Sequence, residues 1–76
     1  MLELRPNCEC CDCDLPPESP LAMICSFECT FCYSCASTRL QNHCPNCAGE
    51  LVRRPVRPLN KLISYPAATR RVFSPC

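Results

Sequence analysis

The sequence predicts a small, metal-dominated α+β domain with two all-cysteine sites, a short β-hairpin, one helix and a flexible tail. Two observations carry that prediction. Eleven of the 76 residues are cysteine, and ten of these fall between Cys8 and Cys47 in closely spaced pairs. A cysteine pair two residues apart presents two thiolates to one metal ion, because the intervening turn sets the sulfurs along an edge of a tetrahedron.

The remaining composition shows why such a staple is needed. The 47% hydrophobic content counts cysteine as apolar; without it, roughly a third of the chain is left to build a core. Domains of this length bury too little surface to be stable on packing alone. Disulfides and metal are the two available staples. The opening Met1–Pro6 contains no apolar export segment, and no stretch is long and apolar enough to span a bilayer. The expected compartment is therefore the cytoplasm, where thiols stay reduced and dense cysteine reads as metal binding. The odd cysteine count points the same way. Thiolate-only tetrahedral sites favour zinc, so two Zn²⁺ are the expected cofactors.

Charge is segregated along the chain. Residues 1–50 carry seven acids against Arg5 and Arg39, for −5, and residues 51–76 carry six cations and no acid, for +6, which together give the net +1. Eight thiolates on two Zn²⁺ would add −4 to the head, a cost that N–H groups aimed at sulfur would soften.

Leu2 and Leu4 alternate with Glu3 and Arg5, which predicts a short strand running into the first cysteine turn. Asp14–Pro20 holds three prolines and reads as a loop. Leu21–Ile24 predicts a strand entering Cys25, with Thr30-Phe31 pairing back on it as a hairpin. Between Tyr33 and Asn42 there is neither Gly nor Pro, and Ala36 and Leu40 fall one turn apart, which predicts the one helix. Its first turn would hold Cys35 beside Cys32, with free N–H groups near the thiolates. Leu51-Val52 predicts a last short strand. Beyond it, Pro55, Pro58, Pro66 and Pro75 with interleaved arginines predict a basic flexible tail. The domain division is thus 1–57 for the zinc-binding head and 58–76 for the tail.

Eight cysteines form four pairs, Cys8/Cys11, Cys25/Cys29, Cys32/Cys35 and Cys44/Cys47. Joined whole, these pairs make two sites sequentially, nested or interleaved. Cys29 and Cys32 are too close for a separate bead to begin between them, and the helix after Cys35 spans the gap between sites. The interleaved arrangement fits best: Cys8, Cys11, Cys32 and Cys35 in site 1, and Cys25, Cys29, Cys44 and Cys47 in site 2. Cys29-Thr30-Phe31-Cys32 is itself a two-residue-spaced pair, so a different division of ligands stays open.

Phe31-Cys32-Tyr33-Ser34-Cys35 and Cys44-Pro45-Asn46-Cys47 resemble the Phe-Cys-x-x-Cys and closing Cys-Pro-x-Cys runs of RING-type zinc fingers, here with cysteine at all eight ligand positions. From Met1-Leu2-Glu3-Leu4-Arg5-Pro6-Asn7-Cys8 through Met23–Cys32 to Arg53-Arg54-Pro55, the chain more closely resembles a bacterial family of small cysteine-rich proteins, domain of unknown function 1272. That resemblance implies a bacterial zinc-binding protein with a RING-like cross-brace, and transfers a fold rather than an activity. The chain departs from ubiquitin-ligase RINGs. Cys29 replaces the usual histidine, Cys10 replaces an apolar residue between the first two ligands, and Ala48-Gly49 rather than a basic residue follows Cys47. Bacteria mostly lack ubiquitin conjugation, so a ligase would have to act in a host cell.

Cys10 and Cys13 give the first pair a second register and are alternative ligands or redox-sensitive thiols, set against a reading as surplus sulfur. His43 is another alternative ligand, set against a reading as a helix-end cation. Cys76 reads as exposed at the end of the tail. Phe27, Phe31, Tyr33 and Leu40 read as core rather than as a base-stacking surface. Arg53, Arg54, Arg57, Lys61, Arg70 and Arg71 are the candidate nucleic-acid contacts, whose attraction would fall steeply with salt; the plainer reading is a solvated tail beside an acidic head. No serine or cysteine stands with a histidine and a carboxylate in a catalytic pattern, so no enzyme is expected. The expected role is an interaction module with a protein partner. Nucleic-acid binding through the tail, a ubiquitin-ligase-like RING and a metal or redox responder are the alternatives.

Overall fold

The computed structural model describes residues 1–74, so Pro75 and Cys76, including the reading of Cys76 as an exposed thiol, lie outside the described residues. Five short elements follow one another: β1 (Ala22–Ile24), β2 (Thr30–Cys32), α1 (Tyr33–Thr38), β3 (Val52–Arg53) and α2 (Leu59–Leu62). The strands form one antiparallel sheet in the order β2-β1-β3. Ala22 faces Cys32 and Ile24 faces Thr30 across the hairpin, while Met23 faces Arg53 and Ile24 faces Val52 on the other edge. This register sets Cys25 and Cys32 at opposite ends of the hairpin, so one strand pair feeds two separate groups of cysteines.

The core is as small as the composition requires. Leu15, Ala22, Phe31, Ala36 and Leu51 are buried together with Cys8, Cys25, Cys32, Cys35 and Cys44, and Met23 and Leu40 pack against them. Thiols thus take up much of the interior that side-chain packing would fill in a larger domain. Phe27 and Tyr33, expected in the core, stand 72% and 57% exposed. Phe27 lies in the turn joining β1 to β2, where its backbone N–H is committed to Cys25 Sγ at 3.3 Å, and Tyr33 opens α1 on its solvent side.

The helix stops sooner than the Gly- and Pro-free run predicts. Ser37 Oγ donates to the Tyr33 carbonyl at 2.8 Å and Thr38 Oγ1 to that of Ser34 at 2.6 Å, competition with the helical ladder that favours termination. The chain then turns through left-handed Gln41 and Asn42, with φ of 50° and 62°, and Asn42 N donates back to the Ala36 carbonyl at 2.7 Å. The expected strand at Leu2–Leu4 does not form, because buried Leu4 takes a left-handed φ of 57° and bends the chain.

Residues 58–74, read from the sequence as the basic tail, include the short helix α2. After α2 they run back over the N-terminal segment, where Ala68 N donates to the Glu3 carbonyl and Ser74 N to that of Glu9, each at 2.9 Å. The side chain of Asn7, fully buried, donates from Nδ2 to the Val72 carbonyl at 2.9 Å and accepts from Val72 N at 3.4 Å. The partners of this segment are backbone groups, Asn7 and, through Arg71, the carboxylates of Asp12 and Asp14, rather than an apolar surface. Among the described residues, no helix is long and apolar enough to cross a membrane.

Candidate metal centre

Two turns of the chain are built alike. In the first, Asp12 N donates to the Cys8 carbonyl at 2.8 Å and Cys8 N to that of Cys13 at 2.9 Å; in the second, Ala48 N donates to Cys44 and Cys44 N to Gly49, both at 2.8 Å. The residue after the second cysteine is left-handed in each, Asp12 at φ 65° and Ala48 at φ 62°. Two turns of equal hydrogen-bond pattern around Cys8/Cys11 and Cys44/Cys47 favour that register of the first pair over Cys10/Cys13.

These turns aim amides at sulfur. Cys8 Sγ accepts from Cys10 N at 3.4 Å and from Cys11 N at 3.5 Å, Cys44 Sγ from Asn46 N at 3.4 Å and Cys47 Sγ from Gly49 N at 3.4 Å. Between them, Cys25 Sγ accepts from Phe27 N, and Cys32, the N-cap of α1, accepts from Cys35 N at 3.5 Å. Asn46 Nδ2 reaches Cys29 Sγ at 3.5 Å. Such donors stabilise thiolate over thiol and orient it, which is what a metal–sulfur centre needs from its surroundings.

The thiols gather in two clusters. Cys8, Cys11, Cys13 and Cys32 have sulfurs all within 4.8 Å of one another, and Cys35 contacts Cys32, Cys11 and Cys8. Cys25, Cys44 and Cys47 form the second group within the same limit, and Cys29 contacts Cys25 and Cys44. The first pair thus meets the third and the second meets the fourth, so the chain interleaves its clusters. Cys11 and Cys32 Sγ lie 3.8 Å apart, and a tetrahedral ion with metal–sulfur bonds of about 2.3 Å has an edge of about 3.8 Å. All-sulfur donors, amide support and that spacing fit Zn²⁺, which would be held by these cysteines in closed sites.

The proton affinities of the thiols differ within each cluster. Cys11 is lowered to about 7, chiefly by the backbone N–H of Cys13. In the second cluster burial works to raise Cys25, but the N–H groups of Phe27 and Cys29 outweigh it and bring the thiol to about 7. Cys13, although an exposed residue, is pushed up to about 12 by desolvation of its thiol and by the neighbouring sulfurs of Cys11 and Cys32; burial and sulfur neighbours raise Cys29 to about 11, and burial likewise raises Cys35 and Cys44. One thiolate surrounded by thiols is the expected electrostatic compromise when like charges crowd without a metal.

Several residues singled out in the sequence stand elsewhere. Cys10 is buried and disulfide-bonded, so its sulfur is committed and is not offered to site 1. His43 is exposed, with Nδ1 2.8 Å from the Gln41 carbonyl oxygen, in a bridge opposite Glu50 and outside both sulfur clusters. Arg54, grouped with the nucleic-acid contacts, is 1% exposed. It donates to the carbonyls of Arg5 at 2.9 Å, Leu15 at 3.3 Å and Pro16 at 3.1 Å, and burial pulls its pKa down. Arg57 donates to Leu2 and Tyr65 carbonyls at 2.7 Å, and Arg71 pairs with Asp12 at 3.0 Å and Asp14 at 2.8 Å. Arg53, Lys61 and Arg70 are exposed. The separation of charge along the sequence is thus partly closed in space, with cations folded back onto the head.

Sequence reasoning missed two residues that carry this architecture, Asn7 and Glu9. Glu9 lies between two cysteines of the first turn, and its burial depends on a partner 21 residues away, which no local pattern reveals.

Two short antiparallel edges, small helices and paired thiol clusters define a small α+β protein with two cysteine clusters able to bind metal. The chain belongs to the family described as protein of unknown function (DUF1272), which it matches over residues 1–57. It is 69% identical over 75 residues to an uncharacterized protein of Rhizobium meliloti (strain 1021), an alignment covering 99% of this chain and 89% of that protein. No solved structure matches it.

Proposed function

We propose that the protein is a two-zinc, RING-like cross-brace that serves as a structural interaction module for a protein partner in the bacterial cytoplasm. The interleaving of the clusters carries this reading: each site joins turns distant in sequence, so metal at either one holds the whole head together. Four thiolates around an ion leave no position for water, which favours a structural over a catalytic metal. The Rhizobium relative supports a bacterial setting. Leu21 and Tyr33, exposed and joined by a 2.7 Å bond from Tyr33 N to the Leu21 carbonyl, offer apolar surface to a partner. Nucleic-acid binding is the weaker reading, because Arg54, Arg57 and Arg71 already serve internal partners.

Native mass spectrometry of the purified full chain tests the proposal. Two zinc ions per chain, with loss of near-native NMR dispersion on chelation, are the expected result; a chain that keeps its dispersion without metal overturns it.

A further inference from the structure

Site 1 offers more sulfur than a tetrahedral ion can use. Cys8, Cys11, Cys13 and Cys32 already form a complete set of four within 4.8 Å, yet Cys35 also contacts Cys8, Cys11 and Cys32. Cys13 and Cys35 therefore share neighbours, since Cys13 contacts Cys11 and Cys32. They differ in access: Cys35 is buried on α1, whereas Cys13 and Cys11 are exposed.

The matching turn of site 2 isolates what is special about Cys13. Gly49 occupies the corresponding place, accepting from Cys44 N as Cys13 accepts from Cys8 N and donating to Cys47 Sγ as Cys13 donates to Cys11. A Cβ added at Gly49 would stand 3.2 Å from Cys47 Sγ, so a side chain at this place sits directly beside the metal-facing sulfur. Site 2 has none there, and its four thiols are its whole complement among the described residues.

We propose that site 1 is an exchangeable metal site in which Cys13 and Cys35 alternate as the fourth ligand, allowing its Zn²⁺ to pass to an external thiolate-bearing acceptor while the site 2 ion stays. The inference rests on the two-zinc reading above. Cys8, Cys11 and Cys32 hold the ion throughout. As a bond forms from the Cys13 sulfur to the ion, the bond to Cys35 breaks; Cys13 gives its proton to solvent and Cys35 takes one up. Charge and oxidation state are unchanged. With Cys13 as ligand, two of the four ligand residues, Cys11 and Cys13, are exposed, and an acceptor thiolate can enter by the same associative step without unfolding α1.

The test loads the full chain with Zn²⁺, counts ions by native mass spectrometry and follows their transfer to a chromogenic chelator; ¹¹³Cd loading reports the donor set. In the wild type, one ion should leave faster than the other. Cys35→Ala should still hold two ions, with a four-sulfur ¹¹³Cd shift at both sites, because Cys13 takes over. Cys29→Ala, with no spare thiol, should hold one. Cys13→Ala should hold two ions but release the faster one about tenfold more slowly. If Cys35→Ala folds with a single ion, or if Cys13→Ala releases metal at the wild-type rate, the exchange is overturned while the two-zinc reading stands. Should Cys35→Ala not fold, the Cys13→Ala kinetics decide alone. A wild-type chain holding fewer than two ions overturns the two-zinc reading and this inference with it.

Discussion

Glu9 Oε2 lies 2.6 Å from the backbone nitrogen of Thr30, with the Glu9 side chain only 4% exposed. The same oxygen takes a 2.9 Å bond from Arg5 Nη1, and Glu9 N returns a 2.9 Å bond to the Thr30 carbonyl. One residue thereby fastens the first cysteine turn to the strand that leads into Cys32, across the two halves of site 1. Arg5, although burial opposes its charge, is held above its ordinary pKa by Glu3 and Glu9.

Replacing Glu9 should therefore loosen site 1 without touching a ligand. Hydrogen bonds to charged groups contribute about 1.5–3 kcal/mol, and an orphaned buried amide adds its own cost. Glu9→Ala should destabilise the zinc-loaded protein by about 2–3 kcal/mol, and Glu9→Gln, which keeps an acceptor for Thr30 N, by about half as much. Denaturant unfolding at fixed free zinc measures both; equal losses would mean that the Thr30 bond is not what matters.

Arg54 makes a separate prediction. Its guanidinium closes off the carbonyls of Arg5, Leu15 and Pro16, while its Nε has no hydrogen-bond partner among the described residues. A planar fork can reach several carbonyls at once, and an ammonium cannot. Arg54→Leu should cost about 3 kcal/mol by leaving acceptors short of donors, and Arg54→Lys should recover little of it. Thermal melts of the two zinc-loaded variants check this; full recovery by lysine would make charge alone the cause.

Most of the fold was legible because thiol chemistry is written in spacing. The pairs Cys8/Cys11 and Cys44/Cys47, the hairpin entering Cys25 and the helix after Cys32 all follow from local turns whose geometry a metal demands. What was not legible depends on distance. Glu9 and Asn7 are buried through partners far along the chain, and Arg54 looks like any other arginine in a basic run until three loop carbonyls surround it. The helix ending at Thr38 was local, but it rests on competition from Ser37 and Thr38 hydroxyls within a segment that lacks Gly and Pro. Cys13 stood out as surplus in the sequence; its equivalence to Gly49 needed the backbone.

Metal binding should release protons, and the amount follows from the thiols. In site 2, Cys29 at about 11 and Cys44, also raised, hold their protons at pH 7.5 without metal, whereas Cys25 at about 7 has largely lost its own. Zinc takes thiolates, so at least the two raised thiols must be deprotonated on binding. Because protons compete with the ion, apparent affinity should rise with pH across the range below those raised values and fall on acidification. Calorimetry of zinc addition in buffers of different ionisation enthalpy reads the proton number, and a value near zero at pH 7.5 would contradict the assignment.

Removing residues 58–76 tests whether the last stretch belongs to the folded unit. Asn7 is fully buried, and its side-chain amide exchanges hydrogen bonds with Val72 in both directions. The segment also places Ala68 N on Glu3 and Ser74 N on Glu9, beside the carboxylate that ties the first turn to β2. The pairs from Arg71 to Asp12 and Asp14 are exposed and contribute least, since water and salt screen them. A chain ending at residue 57 regains water on the uncovered groups, so each lost hydrogen bond costs only its modest net value, offset by the freedom of the released segment. The net loss should be about 1–2 kcal/mol, with two zinc ions retained and amide exchange quickened most at Asn7–Glu9. Arg71→Ala in the full chain should leave that protection in place, because Asn7 and Val72 hold the segment without it. Hydrogen exchange on the two proteins separates these contributions; unchanged protection at Asn7–Glu9 after truncation would mean that the segment adds nothing to the head.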